Sequence, residues 1–353
     1  MSSSFRNDSS LAAMARFPLL IAEFFLIFSL CPGLDLETSA KQPPRYVIKF
    51  ATVAPEGSTW MKQMRTITQA IEDETNGRVI FRIYAGGVAG DELEILKKIR
   101  MRQLQCAAFS GVGFGKILPE VRVLDLPFLF RSYEEVDRAL RRLKPYFSQH
   151  FREKGFILLN WAEVGNVYVF SKRPIRVVGD FRKSKAWSWA GDPIAKETFS
   201  ALGVTPITLP VTDVTTALST GLVDTVYAPP LGLLALQWHP YVKYMNALPF
   251  AHSTGALLLS SRTWEKLPQQ LGKFISSEFE KSMSTMTSQL RQQNEEAIDV
   301  LKNHGITIIP EPTGQALQKF DAIHRRVASA LSGKIYSYSL LKQLYGILGR
   351  NTR

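Results

Sequence analysis

The residue types from which proteins build reactive centres are all present in this 353-residue chain, but not at the spacings that bond-making needs. Its five histidines, His150, His239, His252, His304 and His324, follow no metal-ligand spacing. Cys106 lies in an apolar stretch without a neighbouring base to activate it, which reads as a buried thiol. Neither Gly-x-Ser-x-Gly nor a convincing pair of carboxylates occurs. The run Gly111-Val112-Gly113-Phe114-Gly115-Lys116 resembles a phosphate loop only superficially, because the spacing is wrong and no hydroxyl residue follows the lysine. These observations point away from an enzyme, and no metal or cofactor is expected. Binding chemistry is what remains. Asp192, ahead of Pro193, is either a helix cap or a ligand contact. Thr212 and Asp213 open a short helix whose first amides are either capped locally or turned to an anion in a cleft. Phe114 follows a strand, on the side where ligands sit in α/β folds, and reads equally as wall or core.

The elements that must position these residues alternate in period. A first strand over 46–53 leads through Pro55-Glu56-Gly57-Ser58 into a helix capped by Ser58 or Thr59, with Trp60, Met64, Ile67 and Ile71 on one face and Asn76-Gly77 at its end. Strands over 79–84 and 104–110 flank a helix over 91–102. The second half repeats this grammar, with strands at 156–161, 167–170, 185–189, 204–209 and 223–228 and a short helix over 213–220. Long helices follow over 268–303 and 313–331, separated by a strand at 306–309. Such alternation predicts an α/β protein with parallel sheets and a ligand cleft at the strand C-termini.

Length and composition agree, since 353 residues with 45% apolar content suffice for two domains and exclude disorder or a disulfide scaffold. The net charge of +12 is spread over short groups at 97–102, 138–144 and 172–183, as solvated helix faces are, and not gathered into an arm for nucleic acid. The apolar run at 17–30 is shorter than the roughly 20 residues of a membrane span and follows Arg16, which predicts an export signal ending near Thr38-Ser39-Ala40. Lipid attachment at Cys31 is the competing reading, although Leu30 is larger than the residue expected before a lipidated cysteine.

A set of short motifs then recurs in order along the chain. They are Gly57-Ser58-Thr59-Trp60, Thr75-Asn76-Gly77-Arg78, Gly86-Gly87 with Gly90-Asp91-Glu92, Pro119-Glu120 with the run Asp125-Leu126-Pro127-Phe128-Leu129-Phe130, Lys172-Arg173-Pro174-Ile175, and the run from Thr216 to Asp224. Together they resemble the solute-binding proteins of the tripartite ATP-independent periplasmic (TRAP) transporters. The resemblance implies a periplasmic binding protein fold of two α/β domains, here 41–162 with about 250–285 and 163–249 with about 286–335, preceded by an export signal in 1–40 and followed by a tail at 336–353. It also implies a cleft that closes on a small solute by hinge motion, long C-terminal helices crossing both domains, and delivery to the small and large membrane subunits of an ion-driven permease in the periplasm. A monomer is expected, with a dimer through the C-terminal helices as the alternative. A ligand sensor signalling to a membrane receptor, or an enzyme on the same scaffold, are the other functional classes.

Where the family's arginine pairs with a solute carboxylate, this chain aligns Trp187, within Ser184-Lys185-Ala186-Trp187-Ser188-Trp189. A second common arginine falls at Val167 and a common asparagine at Ala228. A plain carboxylate clamp is therefore not expected. Trp187 and Trp189, two apart on a strand, point to one side and with Tyr227 form a surface on which an apolar, aromatic or cationic solute stacks. Each of the three reads alternatively as core. Glu163 and Asn166, on a turn near the implied hinge, either line the cleft or hold backbone.

Overall fold

The computed structural model describes residues 46–350, so the expected export signal and Cys31 lie outside the described residues. Twelve strands are described: β1 (Tyr46–Ala51), β2 (Val79–Tyr84), β3 (Cys106–Phe109), β4 (Phe156–Trp161), β5 (Gly165–Ser171), β6 (Trp187–Trp189), β7 (Ile207–Leu209), β8 (Thr225–Ala228), β9 (Tyr244–Asn246), β10 (Ala251–Ser253), β11 (Ala256–Ser260) and β12 (Thr307–Ile309). They form two five-stranded sheets and a small pair, the architecture of a two-domain α/β periplasmic binding protein.

The first sheet has the order β2-β1-β3-β11-β4. Its opening is built as the sequence dictates. β1 and β2 run parallel and are joined by the helix Thr59–Glu74, whose buried Met61, Met64, Ile67 and Ile71 recur at helical spacing. Ser58 caps that helix by accepting from the Met61 amide, and the chain leaves it through Asn76 and Gly77, both at positive φ. The sheet is mixed and not wholly parallel as expected, because β11 inserts antiparallel between β3 and β4. The run Ala256-Leu257-Leu258-Leu259 is fully buried, as a central strand covered on both faces must be. Periodicity reveals such a strand but not its direction.

The second sheet runs β10-β5-β9-β12, with β8 also on β5. β5 is antiparallel to β8, β9 and β10, while β9 and β12 are parallel. The pair β6-β7 joins this sheet through a bridge between Ala186 and Thr225. Antiparallel β5 again departs from the parallel expectation.

The helix Gln269–Asn303 spans 35 residues, about 52 Å at 1.5 Å per residue. Its buried stripe of Ile275, Phe279, Met283, Met286 and Leu290 packs with the first sheet, and Leu301 joins the core of the second. One rigid element thus touches both halves. The segment 336–353, read as a tail, carries the helix Tyr338–Ile347, whose Leu340, Leu341 and Leu344 are buried. Among the described residues no helix is long and apolar enough to cross a membrane.

Candidate functional site

A cavity of about 260 Å³ opens between the C-terminal ends of β1 and β3 on one side and β6 and β8 on the other. The first side contributes Thr52, Trp60, Phe109, Ser110 and Gly111, and the second Trp187, Trp189, Tyr227 and Trp238.

The second wall is aromatic because β6 and β8 are adjacent and each turns its aromatic residues inward. The Tyr227 ring stacks on Trp187 at 4.9 Å, Trp189 lies 6.0 Å from Trp187, and Trp238 meets Trp187 edge-on at 5.5 Å. Each indole N–H has an acceptor: Leu209 O for Trp187, Asp91 Oδ2 for Trp189 and Thr215 Oγ1 for Trp238, all at 3.0 Å. The Trp189 amide donates to the Tyr227 hydroxyl at 3.2 Å. Burial drives the Tyr227 pKa upward, so this phenol stays neutral. The three aromatic residues singled out in the sequence therefore meet as one surface. Trp187 is only 2% exposed and forms its base, while Trp189 is the more open of the two tryptophans.

The polar part of the wall is a set of charges that the sequence reading did not single out, apart from Asp192. Arg122, 4% exposed, places Nη2 at 2.6 Å from Asp192 Oδ1 and Nε at 3.0 Å from Asp125 Oδ2. Asp192 also caps the helix Pro193–Ala201, accepting from the Ile194 and Ala195 amides at 2.9 and 3.2 Å. It is both cap and cavity residue. Glu92, buried, accepts from the Ser110 and Gly113 amides at 2.7 Å each. Burial raises Glu92 and Asp125 to about 7, and for Asp125 the pull of Arg122 is opposed by the charge of Asp192.

Glycines make this arrangement possible. The would-be phosphate loop is the helix Gly111–Ile117, and a Cβ on Gly111 or Gly115 would lie 2.3 Å from Asp125 Oδ2 or 2.4 Å from Arg122 Cδ. Gly111 and Gly115 are thus the imprint of the Arg122 side chain packed under a helix, while Gly113 makes room for Phe109 and Glu92; together with a lone arginine inside Val121-Arg122-Val123-Leu124 the outer glycines are the signal that points to Arg122.

The remaining expected residues stand elsewhere. Phe114 is fully buried in the core, outside the cavity wall. Thr212 is exposed at the rim, its methyl facing Gly87 across the cleft. Glu163 is bound by Arg291 of the long helix at 2.8 and 2.6 Å, and Arg291 also pairs with Asp137 and lies 4.3 Å over the Tyr133 ring. Asn166 engages His252 Nδ1 at 3.0 Å. Glu163 and Asn166 therefore lie behind His252, which is itself in the wall. Among the described residues no group of three or more metal-ligating side chains is present.

Residues 50–330 match the family model described as bacterial extracellular solute-binding protein, family 7, DctP. The C4-dicarboxylate-binding periplasmic protein DctP of Rhodobacter capsulatus is 22% identical over 305 residues, covering 86% of this chain and 91% of that protein. The sialic acid-binding periplasmic protein SiaP of Vibrio cholerae is 21% identical over 81% of this chain and 90% of its own. Among solved structures, the galactonate complex of the sugar acid binding protein DctPAm from Advenella mimigardefordensis superposes with a TM-score of 0.80 at 22% identity, covering 87% of this chain and 97% of that one. DctP7 of Bordetella pertussis, which binds pyroglutamic acid, superposes at 0.79 with 18% identity over 86% and 99%.

Proposed function

This chain belongs to the DctP family, family 7 of the bacterial extracellular solute-binding proteins of TRAP transporters, and from that premise we propose that it captures a small organic solute with an apolar or aromatic body. Capture takes place by closure of the two halves, and the closed form hands the solute to a TRAP-type permease in the membrane. The observation that carries this reading is the wall of Trp187, Trp189, Tyr227 and Trp238, in which Trp187 stands where the resemblance implies a carboxylate-binding arginine. Flat rings in a closed site favour a flat or aliphatic body by burial and stacking, worth about 0.5–1.5 kcal/mol per aromatic pair beyond the area term.

Closure follows from the same contacts. Trp189 Nε1 reaches Asp91, and Asp192 reaches Arg122, so the two sides of the cavity touch through hydrogen-bonded pairs around the solute space. A solute that touches both sides binds the closed form better than the open one and shifts the population toward it. The named relatives that bind organic acids support a small organic solute, and an acid with an aromatic or aliphatic body falls within this reading.

Tryptophan fluorescence titration of the purified chain tests it. Aromatic or branched aliphatic solutes are expected to quench or shift the emission with saturation, and Trp189→Ala to weaken them at least tenfold. Saturable binding of succinate-like dicarboxylates that Trp189→Ala leaves unchanged contradicts the aromatic reading.

A further inference from the structure

We infer that the chain carries a second binding surface, a basic groove between the helices Gly314–Leu331 and Tyr338–Ile347 that docks on the phosphate headgroups of an anionic membrane. The groove shares no lining residue with the solute cavity.

Its geometry comes from two helical stripes. Asp321, Arg325, Ser329 and Ser332 line a cavity of about 610 Å³ from the first helix, and Tyr338, Leu341 and Tyr345 from the second. Arg131 and Arg350 complete the lining.

Its charge is lopsided. Between 313 and 350 the chain carries Lys319, Arg325, Arg326, Lys334, Lys342 and Arg350 against Asp321 alone, and every one of these bases except Arg350 is exposed. Folding adds Arg131, which pairs with Asp321. Arg350 is held by Glu135 and by Leu129 O. Each of these two guanidiniums is anchored through some of its five donors and keeps others for a ligand. Arg325 makes no hydrogen bond or ion pair among the described residues. With Asp321 and Glu135 both counted, Arg325 and the flanking Lys334 and Lys342 still leave the groove positive. The field reaches His324, also in the lining, whose protonation is opposed by burial and then by Arg350 and Arg131.

The surroundings favour a headgroup layer over a protein partner. Protein interfaces bury an apolar centre depleted in charge. Here the large exposed apolar residues Val88, Met101, Val177, Leu222 and Val300 lie outside the groove, and only Tyr338, 59% exposed, belongs to it. A headgroup layer needs the opposite mixture, several Lys and Arg that each add to adsorption and an amphipathic ring at the interface. The Ser329 and Ser332 hydroxyls are further donors for phosphate oxygens.

Vesicle flotation of the purified full chain tests the inference. Vesicles of phosphatidylglycerol and phosphatidylcholine in equal parts are expected to carry the protein, those of phosphatidylcholine alone to leave it behind, and raised salt to release it. Arg325→Glu with Lys342→Glu, both exposed and without ion pairs, is expected to weaken adsorption by roughly tenfold or more. Lys97→Glu with Arg100→Glu, on the helix Glu92–Arg100, changes the net charge equally and is expected to leave most of it. Equal losses in the two double variants, or equal flotation on both kinds of vesicle, overturn the assignment. Calorimetric binding of sn-glycerol 3-phosphate without flotation overturns it in favour of a free phosphate ester, and flotation only of membranes that contain the permease overturns it in favour of a protein. Solute capture, read by tryptophan fluorescence, stands apart from every one of these results.

Discussion

Trp187 shows how one side chain serves the fold and the site together. Its ring is stacked on Tyr227, crossed by Trp238 and tied to Leu209 O, so truncation removes core packing as well as cavity wall. Trp187→Ala is expected to cost about 3–5 kcal/mol of stability, read by urea denaturation, and its loss of binding cannot be separated from that cost. Trp189, more open and held by one hydrogen bond to Asp91, is the residue whose truncation reports binding. Arg122 behaves differently again. Arg122→Met leaves Asp125 and Asp192 buried without their cation, which is expected to destabilise the protein by about 3–5 kcal/mol. Asp192→Asn, which keeps an oxygen for the helix cap, is expected to cost clearly less; equal losses in denaturation would show that breaking the pair with Asp192 alone accounts for the whole cost, with no added penalty from stranding Asp125. The aromatic trio was legible in the sequence because the alternation of a strand places Trp187 and Trp189 on one side. The charges were not, because Arg122 and Asp192 are 70 positions apart and nothing local says they meet.

At the scale of elements, the helix Tyr338–Ile347 is fastened by a buried histidine. His324 Nδ1 donates to Pro127 O at 2.7 Å and Nε2 accepts from the Tyr345 hydroxyl at 2.8 Å, an arrangement that needs the neutral ring. Burial, with Arg350 and Arg131 nearby, lowers its pKa to about 4. A folded-state pKa below the ordinary 6.5 means that the stabilising contribution is complete above about pH 6.5 and is lost as pH falls toward 4. The loss amounts to about 2 kcal/mol by pH 5. Hydrogen exchange corrected for intrinsic rates is expected to show this helix loosening between pH 6.5 and 4.5, and His324→Gln to flatten that dependence. An unchanged pH profile in the variant would remove His324 from the explanation. Most elements were readable from period and caps: the strand at 79–84 and the helix ends at Ser58 and Asn76-Gly77 stand where local chemistry puts them. The antiparallel insertion of β11 and the docking of 338–347 were not, since both depend on partners far along the chain.

At the scale of the whole molecule, the proposed closure depends on contacts that cross the cavity. Trp189 to Asp91 and Arg122 to Asp192 cross between its walls, and Thr212 meets Gly87 at the rim. Asp91→Ala is expected to remove one such tie and weaken solute affinity several-fold with little change in melting temperature, because the hydrogen bond contributes only in the closed form. Small-angle scattering should show a solute-induced contraction that is reduced in this variant; a contraction of full size would mean that the tie does not bias closure. The long helix Gln269–Asn303 packs on both halves and ties them together.

The account stands or falls on what occupies the aromatic cavity. The most direct measurement is native mass spectrometry of the protein purified without refolding, followed by release and identification of any bound molecule, for the wild type and Trp189→Ala. The expected result is one small molecule per chain with an aromatic or aliphatic body, lost from the variant. A compact sugar acid or dicarboxylate carried equally by both proteins would contradict it.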